Sequence, residues 1–176
     1  INKRLTKYSY LNSYKLKIQG VSETIDITDI LNAFVFLQNI DELTDVTTMI
    51  GYKTSTSSGV VYSSFNNIYD GNNGIINYSL NYNGYSDSTD RTGLFKIIGT
   101  LGVVKNLNVN ASFDFANLPN ASFDVGGLAS YNYGKISNVT ILNITIQNMV
   151  NDGVGLLNVN FGGVVSQNYG SVFLHM

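Results

Sequence analysis

Gly127-Leu128-Ala129, followed by Gly134-Lys135-Ile136-Ser137-Asn138-Val139-Thr140-Ile141, decides the fold, because the chain writes this phrase three times. An earlier copy reads Gly93-Leu94-Phe95, then Gly102-Val103-Val104-Lys105-Asn106-Leu107-Asn108-Val109. A later one opens Gly163-Val164-Val165 and runs through Asn168-Tyr169-Gly170-Ser171-Val172. The lead glycines stand 34 and 36 residues apart. Short apolar runs and glycine turns recurring at that period specify a solenoid, in which each coil buries its apolar row only by stacking on its neighbours.

The strand register can be followed inside the copies. Ile136, Val139 and Ile141 are apolar, with Ser137, Asn138 and Thr140 between them. Then Leu142, Ile144 and Ile146 are apolar, with Asn143, Thr145 and Gln147 between. A period-2 pattern cannot change parity within a straight strand without exchanging its faces, so the chain is expected to bend near Ile141-Leu142. Val104, Leu107 and Val109 fall opposite Ile136, Val139 and Ile141, as do Asn106 opposite Asn138 and Gly102 opposite Gly134. Stacking would bury these six aliphatic residues, expose Lys105 and Lys135, and set the two Asn at a corner. Gly127 and Gly163 are expected at equivalent positions that leave no room for a side chain. The structural repeat thus comprises Asp70, Gly93, Gly102, Asn106, Gly127, Gly134, Asn138, Gly163 and Gly170.

Residues 1–59 read as an irregular lead-in and 60–176 as solenoid repeats. Tyr14 to Gly20 alternates as a strand does. Ile25 to Ile30 suits a strand or a short helix starting near Thr28, and Ala33 to Ile40 favours a strand. Residues 53–59 read as a polar loop, and Asp70-Gly71-Asn72-Asn73-Gly74 as a turn between strands. Residues 81–92 and 114–124 read as protruding loops.

The 176 residues carry a net charge of −2, and only 12% are charged, about half the usual share. A basic field for nucleic acid is absent. Lys3, Arg4, Lys7, Lys15 and Lys17 are followed by Glu23, Asp26, Asp29, Asp41, Glu42 and Asp45. This pattern reads as two solvated faces, with docking of a neighbouring domain as the alternative. There is no cysteine, hence no disulfide or thiolate site. No apolar run approaches the roughly 18–20 residues of a membrane span. A chain opening on Ile1, with its third copy unfinished, is expected to be a fragment or a processed chain.

Phe65-Asn66-Asn67-Ile68-Tyr69-Asp70-Gly71-Asn72-Asn73-Gly74-Ile75-Ile76, Thr92-Gly93-Leu94-Phe95 and Gly126-Gly127-Leu128-Ala129-Ser130-Tyr131-Asn132-Tyr133-Gly134-Lys135-Ile136-Ser137-Asn138-Val139 together resemble the GLUG-type repeat proteins. The resemblance covers about residues 60–172. Asn67 stands where Gly is common, and Ala129-Ser130 where Val-Gly is common. It implies a right-handed parallel β-helix belonging to a large bacterial surface adhesin or to the N-terminal region of an IgA-type zinc metallopeptidase. It implies a secreted or cell-surface location, with flanking domains of the same polypeptide, and surface glycans or proteins, as partners. It transfers no catalytic site.

The residues themselves offer little for catalysis. His175 is the sole histidine and there is no His-Glu-x-x-His, so a metalloprotease centre is excluded from this chain. Glycoside hydrolysis needs two carboxylates across one bond, and Asp70, Asp87, Asp90, Asp114 and Asp124 share no repeat position. Turn and loop roles are expected for them, with a calcium site on Asp70 or on Asp87 and Asp90 as the alternative. Tyr133 and Tyr169 precede equivalent glycines and should stack on each other. Tyr82, Tyr85, Asp87 and Asp90 are the candidates for ligand contact, together with the exposed-looking Tyr131, Tyr133 and Tyr169. Five Asn-x-Ser/Thr sequons, at Asn77, Asn110, Asn120, Asn138 and Asn143, are about what chance gives for so many Asn and carry no inference. No cofactor or metal is expected. The favoured function is a non-catalytic stalk, spacer or adhesive segment. A carbohydrate-active β-helix enzyme and a self-stacking fibre unit are the competing readings.

Overall fold

The computed structural model describes residues 14–18, 21–25, 27–33, 35–38, 41–47, 49–51, 53–81, 89–115, 122–148 and 158–173. In chain order these form β1 (Tyr14–Ile18), β2 (Val21–Ile25), α1 (Ile27–Ala33), β3 (Phe36–Leu37), β4 (Glu42–Val46), β5 (Lys53–Thr56), β6 (Gly59–Tyr62) and β7 (Ile68–Asn81). Then follow β8 (Thr89–Thr92), β9 (Phe95–Ile98), β10 (Val103–Asp114), β11 (Ser122–Gly126), β12 (Ala129–Asn132), β13 (Lys135–Gln147), β14 (Asn158–Gly162), β15 (Val165–Asn168) and β16 (Ser171–Phe173).

The chain is a parallel β-helix. Each full coil contributes two short strands and one long one, and like strands stack in parallel. One sheet runs β3 and β4, β7, β10, β13, β16; the second β8, β11, β14; the third β9, β12, β15. Antiparallel pairing of described strands is confined to the hairpins β1–β2 and β5–β6. The expected register holds: Val104 pairs with Ile136, Leu107 with Val139 and Val109 with Ile141.

Corners arise where a residue adopts a left-handed backbone. Asn106 and Asn138 have φ of 53° and 51°, a conformation Asn tolerates better than most residues. Each shifts the inward phase of its strand, from Val104 to Leu107 and from Ile136 to Val139. The bend is therefore at Asn138. What lies at Leu142 is a bulge: the register of β13 slips by one residue between Ile141 and Asn143 against Val109 and Asn110, leaving Leu142 half-exposed. At the same corner one coil earlier, Gly71, Asn72 and Asn73 together oppose Asn106. The expected turn is thus a wide corner inside the continuous strand β7.

Other sequence readings are corrected. Residues 53–59 are a hairpin and not a loop: β5 and β6 close on a tight turn at Ser57-Ser58. Ile50 and Phe65 pair with Phe95 and Ile98, so the hairpin is an insertion within one rung of the third sheet. Residues 89–92 and 122–124 are strand rather than loop, because β8 and β11 stack on each other. The segment 27–33 is helical, with Asp29 favourably placed in the first turn, so the strand expected over 33–40 shrinks to Phe36–Leu37. Leu31 of α1 is fully buried against the core, and Thr28 Oγ1 accepts from Gly51 N at 2.7 Å. Of the six aliphatic residues, five are buried, but Ile141 is only partly so. On its upper side β13 pairs, among the described residues, only through Lys135–Ser137. Lys105 is half-exposed because its Nζ turns to Asp70 Oδ2 at 3.3 Å.

The interior is aromatic as well as aliphatic. Phe36 stacks on Tyr69, whose ring meets Phe95 edge-on, and Phe113 contacts Tyr78 and Phe115. Tyr78 crosses the interior to donate its hydroxyl to Gly127 O at 2.6 Å. Tyr69 occupies the stack of Val104 and Ile136, and its fully buried hydroxyl has no hydrogen-bond partner among the described residues. Burial pushes its pKa well above the ordinary value. An unsatisfied buried hydroxyl costs about 1–3 kcal/mol. Tyr69→Phe is therefore expected to raise the denaturant midpoint at unchanged slope, and a lowered midpoint would show that the hydroxyl is satisfied after all.

Candidate functional site

The corner after the third sheet collects the exposed aromatic residues. Asn132, at the end of β12, is fully buried. Its Oδ1 accepts from Gly134 N at 3.1 Å, and its Nδ2 donates to Asn168 Oδ1 at 2.8 Å. This side-chain bridge forms the tight turn and leaves Tyr133 no inward path. Asn168, Tyr169 and Gly170 repeat the sequence one coil on. A Cβ on Gly134 would lie 2.2 Å from Gly102 O and one on Gly170 2.2 Å from Gly134 O, so glycine keeps these turns stacked. The rings of Tyr133 and Tyr169 stack as expected, with centroids 5.1 Å apart and planes 10° from parallel. Tyr131, which alternation points outward, lies 6.4 and 6.3 Å from them, also nearly parallel.

A cation is set into the same group. The Arg91 guanidinium lies 4.1 Å from the Tyr131 ring centre and 4.5 Å from that of Tyr62, at the foot of the inserted hairpin. Tyr131 donates its hydroxyl to Asp124 Oδ2 at 2.8 Å; Asp124 Oδ1 accepts from Asn160 Nδ2 at 2.9 Å and from Ser166 Oγ at 3.4 Å. Burial, with the hydrogen bond to Asp124, pushes the Tyr131 pKa up to about 12. Beneath the cluster, Ser130 Oγ donates to Asp124 O and Ser166 Oγ to Asn160 O. In the coil below, the buried Lys96 takes the place of these serines and reaches Arg91 O at 3.4 Å.

A second polar set lies on the outer face of the first sheet. Asn138 Nδ2 donates to Asn106 Oδ1 at 2.9 Å, and Asn106 Nδ2 to Asp70 Oδ1 at 3.0 Å. Asn110 donates likewise to Asn77, and Asn77 to Glu42. Each ladder ends below on a carboxylate, which accepts without needing to donate. Burial raises the Asp70 pKa, but hydrogen bonds from Asn72 N, Asn106 and Lys105, with the Lys105 charge, outweigh it and hold the carboxyl below the ordinary value. A depressed folded-state pKa gives stability that is present above the unfolded pKa and is lost as pH falls through the folded one. Thermal melts are expected to fall through that acidic range, and Asp70→Asn should flatten the decline. Identical pH profiles would remove Asp70 from the account.

Among the described residues the arrangement brings no two carboxylates together across a cleft. Asp70 faces Lys105, Asp114 stands between Asn81 and Gln147 in register, and Asp124 is held by three donors. Among the described residues, no three His, Cys, Asp or Glu gather as a metal site. Tyr82, Tyr85, Asp87 and His175 lie outside the described residues. Asp90 lies in β8, paired with Phe123. The sequence reading did not find the pairing of Arg91 with Asp124. The repeat phrase sets Gly93 against Gly127, whereas strand register sets Thr92 against Val125, so Gly93 stacks under Gly126. Shifting that alignment by one residue brings Arg91 beside Asp124.

Among the described residues no helix is long and apolar enough to cross a membrane. No family model, curated protein or solved structure matches the chain.

Proposed function

We propose that this chain is a non-catalytic β-helical module of a large secreted or cell-surface protein, serving as a stalk or spacer between flanking domains. The observation that carries the reading is the continuity of β7, β10 and β13. Three long strands stay in parallel register over one buried core, with amide ladders along the outer face. Such a rod transmits load from coil to coil through nearest-neighbour contacts. The order of the GLUG-like phrases supports a place in an adhesin-like surface protein or beside a metallopeptidase domain, and through it an extracellular location. The engaged state of Asp70 and Asp124 supports the absence of catalysis, since acid–base chemistry needs a positioned group with a proton to exchange.

Pulling the chain from its two ends tests the spacer role. Phe95 and Ala129 are partners 34 residues apart, so release of one coil should lengthen the chain by about 110–120 Å at roughly 3.3–3.6 Å per residue. Smooth extension without such steps would overturn the reading. Turnover of a peptide or polysaccharide that disappears on changing Asp87 or Asp90 would replace it with an enzyme.

A further inference from the structure

We propose that Asn73 is a self-modifying residue: in the folded chain the main-chain nitrogen of Gly74 displaces its side-chain amide, leaving aspartate or isoaspartate at this corner of the rod. The reaction needs an Asn whose side chain reaches water and whose leaving nitrogen is not held. It also needs a next residue without a side chain, so that the attacking nitrogen can approach. Among the described residues Asn73 is the one Asn that precedes a glycine, and it is exposed.

Its surroundings set it apart from the other left-handed Asn of the stack. Asn106 and Asn138 are followed by Leu107 and Val139, and their amides are engaged in the ladder that ends on Asp70. The Nδ2 of Asn73 has no partner among the described residues. Its Oδ1 accepts from Asn138 Nδ2 at 3.3 Å. That oxygen becomes negative as the ring closes, and a hydrogen bond to an oxyanion is stronger than one to a neutral amide. The backbone is also outside the regular pairing. Gly71, Asn72 and Asn73 together oppose Asn106, and Gly74 is the first residue to rejoin the ladder, opposite Leu107. Freeing its amide opens the end of a paired run and not its middle, which is the less costly kind of opening.

The step balances with water as co-reactant. Hydroxide takes the Gly74 N–H proton, the nitrogen bonds to Asn73 Cγ, and the Cγ–Nδ2 bond breaks. Nδ2 gains a proton from water and leaves as ammonia. Water then opens the cyclic imide at either carbonyl. Opening at Cγ gives aspartate. Opening at the main-chain carbonyl gives isoaspartate, which lengthens the backbone where Asn73 O holds Asn108 Nδ2 at 2.9 Å.

The spacer role does not depend on this chemistry, and the pulling experiment does not read it. The test is incubation of the folded full chain in mildly alkaline buffer, well below its melting temperature, beside a sample in urea. Peptide mapping by mass spectrometry follows each Asn, and an isoaspartate-specific methyltransferase labels the rearranged product. Asn83, which also precedes a glycine and lies outside the described residues, is read on a separate peptide. The folded chain is expected to convert Asn73 within about tenfold of the rate in urea, the factor that a small local opening imposes. Asn106 and Asn138 should stay unconverted in the folded chain. Conversion of Asn73 in urea only, or in neither sample, overturns the proposal.

Discussion

Val104→Asp is expected to leave the chain without a cooperative thermal transition. Val104 is fully buried, with Tyr69 on the rung below it and Ile136 on the rung above. The substitution removes aliphatic burial of about 1.5–3 kcal/mol. It also places a carboxyl group where no donor waits, and burying an unpaired charge costs several kcal/mol more. Domains of this size are stable by only about 5–15 kcal/mol. Val139→Asp provides the graded comparison. Val139 is 5% exposed, and the described strand above it ends its pairing at Ser137, so its carboxylate has a short path to water. It should destabilise clearly less than Val104→Asp. Circular dichroism melts decide the matter: a cooperative transition within a few degrees of the parent for Val104→Asp would show that residues 103–109 do not form the centre of the stack.

Much of the architecture was legible because a solenoid repeats its instructions. Val104-x-x-Leu107-x-Val109 and Ile136-x-x-Val139-x-Ile141 carry one pattern, and the structure pairs them residue for residue. The bend was the less legible part. Two things break the alternation in β13, a left-handed Asn138 and an extra residue at Leu142, and from one strand they look alike. Only comparison with β10 separates them, since Asn106 shares the first break and has no equivalent of the second. The hairpin at 53–62 was hidden because its first strand is Lys-Thr-Ser-Thr and its second, Gly-Val-Val-Tyr, is mostly exposed, so the two-stranded ribbon carries no apolar alternation. The helix at 27–33 was ambiguous because a seven-residue segment spans barely two turns, too few for periodicity to exclude a strand.

The candidate site was half legible. The stacking of Tyr133 on Tyr169 follows from their equal distance to the repeat glycines. The seat of Arg91 does not follow from local sequence, because it joins Tyr62 of the inserted hairpin to Tyr131 two coils later. Nothing in residues 89–92 shows that the hairpin folds over them. Asp124 reads as a loop residue for the same reason: its three partners come from two coils, and one of them, Asn160, lies 36 residues away.

Gly126→Val is expected to destabilise the chain by more than about 3 kcal/mol, whereas Gly163→Val should change stability by no more than about 0.5 kcal/mol. The repeat alone makes the second glycine of each pair the sensitive one; the structure bears this out at Gly127 but not at Gly163, and adds the first glycines, Gly126 and Gly162. A Cβ on Gly126 would lie 1.8 Å from Ala129 O, and one on Gly162 the same distance from Val165 O. Those oxygens are backbone, so relief requires opening the corner between the second and third sheets. Opening it pulls Ser130 Oγ from Asp124 O and loosens the register that seats Arg91. Among the described residues Gly163 has no heavy atom within 4 Å of its Cβ position, and its φ lies outside the left-handed region, so neither their packing nor backbone geometry requires glycine there. Gly127 differs from it for one reason: the coil above brings Gly163 O to 2.2 Å from its Cβ position. The cost of a side chain at these corners is therefore set by stacking rather than by the turn itself. Denaturant unfolding of the three Val variants should rank Gly126 and Gly127 far below Gly163 in stability; equal midpoints for Gly126→Val and Gly163→Val would show that the corner is not packed as the backbone distances require.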